Sequence, residues 1–389
     1  MKNIIRNFGN KDMLINWYAN IGNDQIKNVN NHIHSPYSFS AFESMEQAFE
    51  MAKKEDISVL GINDFFVTDG YKEFYDLAVK KNIFPLFNIE FIGLLKKEQQ
   101  EGIRINDPSN PGRTYFSGKG LDHPVHLDTK YKMTLDILKL ESQKQVVLMI
   151  EKLNDHLKKI NSDLHFSYDG IKNEYAEDLV RERHLAKALR VAINNKNYPE
   201  VKLQDFLKQL YAGKESKVKV ENSAAFEGEL RSNLLKAGGV AFVPEDDRAF
   251  LEIPEIIDII VHAGGIPTYP VLLDNAAGEI TEFENDYDQL CKRLTDLGVY
   301  SVELIPNRNK LETLEGFVSF FYDKGFIVTF GTEHNSPELF PLTITTRGNI
   351  PVSSKLLEIG YEGACVVAAH EYLRAQEKGG YLNKKGIAK

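Results

Sequence analysis

Cysteine is nearly absent: Cys291 and Cys365 are the only two in 389 residues. They lie far apart in segments patterned as helices, which excludes a disulfide framework and a thiolate zinc cluster and predicts two buried thiols in a reducing compartment. Long apolar runs are also missing, so nothing approaches the roughly 18 consecutive apolar residues of a membrane-crossing helix. The opening MKNIIRNFGNKDMLINWYANIG has no unbroken apolar stretch and no small-residue cleavage site, so no secretory signal is expected and the expected location is cytoplasmic. An excess of basic charge is lacking too. Lys and Arg number 47 against 56 Asp and Glu, a net charge of −9, which argues against general nucleic-acid binding because such proteins need a basic face to displace counterions from phosphates. There is no fixed-period repeat and no low-complexity tract. Oligomeric state leaves no trace in the sequence.

What is present is an ordinary globular composition, 42% hydrophobic and 26% charged, enough for a packed core. Short apolar runs end in polar residues at NHIH (31–34), VLGIND (59–64), FPLFNIE (84–90), IIDIIVHAGG (256–265), SVELIPN (301–307) and FIVTFGTEHN (326–335). Each reads as a buried parallel strand. Amphipathic stretches at 43–57, 70–83, 287–298 and 309–325 separate them, and that alternation means β/α repeats around a parallel sheet. Between 124 and 255 the pattern changes to long charged helices, such as 141–160 and 180–194. The expected organisation is a distorted (β/α)7 barrel of class α/β, formed by residues 1–123 and 256–389, with a helical insertion or cap at 124–255.

The chemistry collects at strand ends. In HIHSPYSFS (32–40), His32 and His34 alternate onto one side of a strand and can chelate one divalent cation. Asp64 in GINDFF, Glu90 in FNIEF, His262 in VHAGG, and Glu333 with His334 in GTEHN end other apolar runs. Unpaired ionisable groups are costly to bury, and a shared metal site removes that cost. Groups at the C-terminal ends of several strands are also the usual layout of active sites in (β/α) barrels. Arg113 and Lys119 in GRTYFSGKG, and Arg308 in IPNRN, could receive a small anionic substrate.

These motifs resemble the PHP (polymerase and histidinol phosphatase) superfamily of metal-dependent phosphoesterases. The resemblance covers about 28–95 and 256–340 and rests on His32-Ile33-His34-Ser35, the strand ending in Glu90, the histidine followed by glycines, and the final glycine-led acidic motif. It implies a distorted seven-stranded barrel with metals at its C-terminal face. Position by position, it implies His32, His34, Glu90, His262 and Glu333 as metal ligands, with His123 as a further one after the fourth strand. Asp64 would orient a neighbouring ligand, and His334 or His262 could protonate the leaving group. Phe39, Phe65 and Asn335 depart from the family pattern at positions that converge on one metal, which implies two ions (Zn, Mn, Fe or Mg) rather than three. The implied activity is hydrolysis of a small phosphorylated substrate by metal-activated water. The alternatives are a metal-binding protein without phosphatase activity, or a metal-dependent hydrolase or isomerase acting on a non-phosphate substrate.

Overall fold

The computed structural model describes residues 5, 9–21, 25–275 and 277–382, so residues 1–4, 6–8 and 22 of the segment read for a secretory signal lie outside it. Eight strands form one sheet: β1 (Asn28–Ile33), β2 (Ile57–Phe65), β3 (Phe84–Leu94), β4 (Arg113–Lys119), β5 (Leu251–Glu252), β6 (Ile266–Val271), β7 (Ser301–Leu304) and β8 (Ile327–Phe330). The path runs β1-β2-β3-β4-β6-β7-β8, with the two-residue β5 paired to β3. A bridge between Ile33 and Glu333 brings the two ends of that path together, giving a nearly closed barrel. The distortion has a definite source: β4 runs antiparallel to both neighbours, while the other pairs are parallel.

Closure demands glycine at one point. A Cβ at Gly331, just after β8, would lie 2.2 Å from the Cβ of His32, so the chain can pass this close to β1 only without a side chain.

Outside the sheet lie α1 (Lys11–Ile21), α2 (Met45–Lys54), α3 (Tyr71–Lys81) and α4 (Lys96–Gln100). The long stretch between β4 and β5 supplies α5 (Thr129–Lys159), α6 (Tyr168–Tyr175), α7 (Glu182–Asn195), α8 (Glu200–Leu210) and α9 (Ser223–Leu230). The remaining helices are α10 (Ile253–His262), α11 (Tyr287–Asp296), α12 (Leu311–Asp323) and α13 (Ser354–Ala375). Among the described residues, no helix is long and apolar enough to cross a membrane. The barrel helices bury their apolar stripes in one large core, whereas α5 to α9 gather a second cluster that includes Val146, Leu153, Leu189, Leu207, Phe226 and Leu234. That second cluster follows directly from the stripe Val146, Met149, Ile150, Leu153 and Leu157 on α5, all of which are buried.

Two expectations are corrected here. The run IIDIIVHAGG is the end of helix α10 and not a strand; the strand is the following IPTYPV. Ile253, Ile256, Ile259 and Ile260 recur at three and four spacing on its buried face, Pro254 sits in its first turn, and Glu255 accepts from the Glu252 N–H at 3.1 Å. The cysteines differ from expectation as well, since Cys291 is half-buried on α11 and Cys365 is exposed on the outer side of α13.

Burial also sets an acid limit on stability. His123 stacks on Phe87 with ring centroids 4.4 Å apart, and burial pushes its pKa down to about 4. His184, at the start of α7, is pushed down to about 3, first by burial and then by Lys187 and Arg181. In the unfolded chain both would protonate near 6.5. As pH falls from there toward 4, the unfolded state takes up protons that the native state refuses, so stability is lost across that window. Urea unfolding at pH 7.5, 6 and 4.5 should show a falling midpoint, with a shallower fall in a His123→Phe variant.

Candidate metal centre

Four side chains converge at the C-terminal mouth of the parallel strands: His32, His34, Glu90 and Glu333, each offering one ligand atom, with all four atoms within 4.8 Å of one another. Strand registry puts them there. Glu90 pairs across β3 with Phe65 at the end of β2, and His34 donates its N–H to the Glu333 carbonyl at 2.7 Å. Glu333 and His334 both adopt left-handed backbone, with φ of 66° and 53°, a strained pair of the kind that tends to gather at functional sites.

The two imidazoles are held in a fixed state by their other nitrogens. His32 Nδ1 lies 2.9 Å from Glu303 Oε2, and His34 Nδ1 lies 3.3 Å from Ser38 Oγ. Ser38 in turn donates to Asp64 at 2.6 Å. Each ring can therefore carry its proton on Nδ1 and present a bare Nε2 to the cluster. Those two Nε2 atoms face each other at 3.3 Å, and His34 Nε2 is also 3.3 Å from Glu90 Oε2. Asn63 Nδ2 lies 3.0 Å from His32 Nε2 and competes for that lone pair.

Electrostatics sharpen the fit to a cation. Burial lowers the pKa of His32, against the pull of Glu303, and lowers that of His34 much further, with Arg181 and Arg183 adding to the effect. Both rings stay neutral, as metal ligands must. Burial pushes the Glu90 carboxyl upward, to about 7, and its Oε2 is buried without a hydrogen-bond partner. An orphaned carboxylate oxygen beside two opposed imidazole lone pairs is the arrangement a divalent cation would satisfy.

Glu303, on β7, was not singled out from the sequence. Burial alone would raise its pKa, but His32 and Lys119 beside it bring it down to about 2. A lone carboxylate between Val302 and Leu304 in a buried strand was the available signal.

Among the other expected site residues, Asp64 accepts from the Ser35 N–H at 2.8 Å and from Ser38, so it anchors the loop after β1 and positions His34 without joining the cluster. His334 is turned away by the left-handed pair. Its ring stacks on Phe42 at 4.7 Å, while Nε2 meets the Phe340 carbonyl and Nδ1 meets Thr332 Oγ1, both at 2.8 Å. His262 ends α10 on the outside of the barrel, packed on Tyr131 and 3.4 Å from Asp128. His123 lies among Phe87, Tyr71 and Tyr75. Neither of these two histidines belongs to the cluster.

Lys119 is 1% exposed and paired with Glu303, so it supports the centre from inside the barrel and does not reach solvent. Arg113 is engaged by Glu245 at 2.5 Å and lies over the Phe250 ring. Arg308, 44% exposed and paired with Glu333, is the expected basic residue that does line the cavity over the cluster. That cavity, about 160 Å³, is also walled by Tyr115, Arg183 and Asn335. Arg347 donates to the Arg308 carbonyl and also to the Asp274 and Asn275 carbonyls, the last two at 2.7 and 2.9 Å, and so ties the Arg308 backbone to that loop.

The PHP domain family model matches residues 30–260, more than half of the chain. The chain belongs to the PHP domain family. Solved structures agree on the fold. One, described provisionally as a metal-dependent phosphoesterase from Bifidobacterium adolescentis, superimposes with a TM-score of 0.57 at 15% identity, covering 86% of this chain and 96% of its own. Another, an amidohydrolase from Chromobacterium violaceum with bound sulfate and no metal, gives 0.54 at 14% identity, covering 85% and 96%. No curated protein matches the sequence significantly. Within this PHP fold, Phe65 stacks on His34 at 4.9 Å and so flanks the centre, whereas Phe39 meets His184 of α7 edge-on at 4.8 Å.

Proposed function

We propose that this PHP-family protein is a metal-dependent hydrolase acting on a small phosphorylated substrate, with one divalent cation held by His32, His34, Glu90 and Glu333. The observation that carries this reading is the confrontation of two bare Nε2 atoms at 3.3 Å beside the unpartnered Glu90 Oε2. A cation bound there supplies Lewis acidity and a water of lowered pKa. With His123 and His262 outside the cluster, four ligands remain, a number that suits one ion.

The chain's own residues account for the rest. Glu303 and the Asp64–Ser38 pair keep both imidazoles oriented, and burial keeps them neutral. Arg308 supplies a planar fork at the cavity wall that can neutralise charge developing on a phosphoryl group. Its pairing with Glu333 and the bond from Arg347 to its carbonyl hold it near that position before a ligand arrives.

Metal analysis of purified protein, followed by a panel of phosphomonoesters and phosphodiesters with added Mn²⁺ or Zn²⁺, tests the proposal. The expected result is about one ion per chain and metal-dependent phosphate release. Protein that binds no metal and releases no phosphate would sink it. Bound metal with no release across the panel would turn attention to non-phosphate hydrolysis.

A further inference from the structure

A second cavity, about 580 Å³, opens between the barrel and the insertion and shares Tyr115, Arg183 and Asn335 with the one over the metal centre. Its walls carry five cationic side chains and three carboxylates, in a protein whose net charge is −9. Most of those charges are already matched. Arg113 is engaged by Glu245, and Glu182 is engaged by Arg231 at 2.7 Å and Lys236 at 3.3 Å.

Arg181 and Arg183 are the exception. Among the described residues neither guanidinium forms an ion pair; instead each lies over an aromatic ring of the barrel, Arg181 over Phe65 at 4.7 Å and Arg183 over Phe39 at 5.5 Å. A third group nearby is also incompletely satisfied, because Arg231 Nε is buried without a hydrogen-bond partner. Burial and the Arg231 charge together push Arg183 down to about 10, against the pull of Glu182, the direction expected of a cation crowded by other cations.

We propose that Arg181 and Arg183, shelved on Phe65 and Phe39, form a second anion site, and that the ligand of this protein is a small molecule with two anionic groups. One group occupies the cavity over His32 and Glu90 and the other lies against the two guanidiniums, with the carbon body between them. The aromatic shelves restrict the arginine rotamers before binding, which lowers the entropy cost of gripping a phosphate or carboxylate in a bidentate fork. The insertion thereby selects the ligand, while the barrel carries the chemistry. The choice of phosphate as the reacting group rests on the function proposed above; the second site does not.

Titration calorimetry on the purified full-length protein, with its metal content measured, tests this with hexane-1,6-diol bisphosphate against hexyl phosphate, and adipate against hexanoate. Wild-type protein should bind each dianionic probe at least about tenfold more tightly than its partner. Arg181→Ala, at the arginine that lines only the second cavity, should erase most of that preference at unchanged metal content, with a much smaller effect on hexyl phosphate. Arg181→Lys, keeping charge without the fork, should fall between. Equal binding of both members of each pair by wild type, or equal weakening of both by R181A, would overturn the proposal. If the phosphoesterase reading alone fails, no phosphate is released but adipate keeps an Arg181-dependent advantage over hexanoate. Phosphate release from hexyl phosphate without any preference for dianions would instead retire the second site and leave the phosphoesterase standing.

Discussion

Glu90→Gln should strip the protein of its divalent cation, while His334→Asn should leave metal content unchanged. Glu90 sits inside the four-ligand cluster with an unpartnered buried oxygen, whereas both ring nitrogens of His334 are engaged by Thr332 and Phe340 outside it. Loss of a hydrogen-bonded partner behind a ligand already costs about 10–100-fold in metal affinity, so loss of the ligand itself should exceed about 100-fold. Thermal melting gives an independent readout. Added metal raises the melting temperature of wild type by linkage, and that rise should vanish in E90Q. The metal-free E90Q protein should melt no lower than metal-free wild type, because the amide is cheaper to bury than a carboxyl already pushed upward by burial. His334→Asn should show the opposite pattern, a lower melting temperature with the metal-induced rise preserved, since it abandons the Phe42 stack and a buried hydrogen bond. Equal metal loss from the two variants would contradict the assignment.

That contrast also shows what the sequence could carry. His32, His34 and Glu90 were legible because strand alternation and runs ending in polar residues are local signals; β1 and β2 end as that pattern implies, whereas β3 runs four residues past Glu90, to Leu94, where it pairs with β4. Glu333 and His334 are adjacent, and nothing local decides which faces inward. The consecutive left-handed residues decide it, and they arise from closure against β1 at Gly331. His262 was misplaced for a different reason: a short run rich in isoleucine does not distinguish a buried strand from a buried helix, and the capping pair Glu252 and Glu255 settles the matter in favour of helix. Strand β6, with Pro267 and Pro270 inside it, is hidden by residues that usually argue against a strand. Arg181 and Arg183 read only as one charged end of an amphipathic helix. Their relation to Phe39 and Phe65 is a tertiary fact, created when the start of α7 packs against those two rings.

The largest expected loss of stability comes from Lys119→Met. Lys119 and Glu303 are each 1% exposed and paired inside the barrel, and Lys119 also donates to Asn63 at 3.3 Å. Removing the lysine leaves a buried carboxylate whose remaining partners, a neutral imidazole and the Ser117 hydroxyl, carry no charge, a change that costs about 3–5 kcal/mol. Glu303→Gln in the same background removes the stranded charge, so the double variant K119M/E303Q should recover much of that loss in urea unfolding, a coupling that separate surface sites would not show. Metal affinity should follow a different order. Glu303 fixes the His32 proton on Nδ1, so E303Q and the double variant should both bind metal about 10–100-fold more weakly than wild type. K119M keeps the carboxylate and should lose far less. If stability and metal affinity instead fell together across the three variants, Glu303 would be acting only as the counter-ion of Lys119, and its role in orienting His32 would have to be given up.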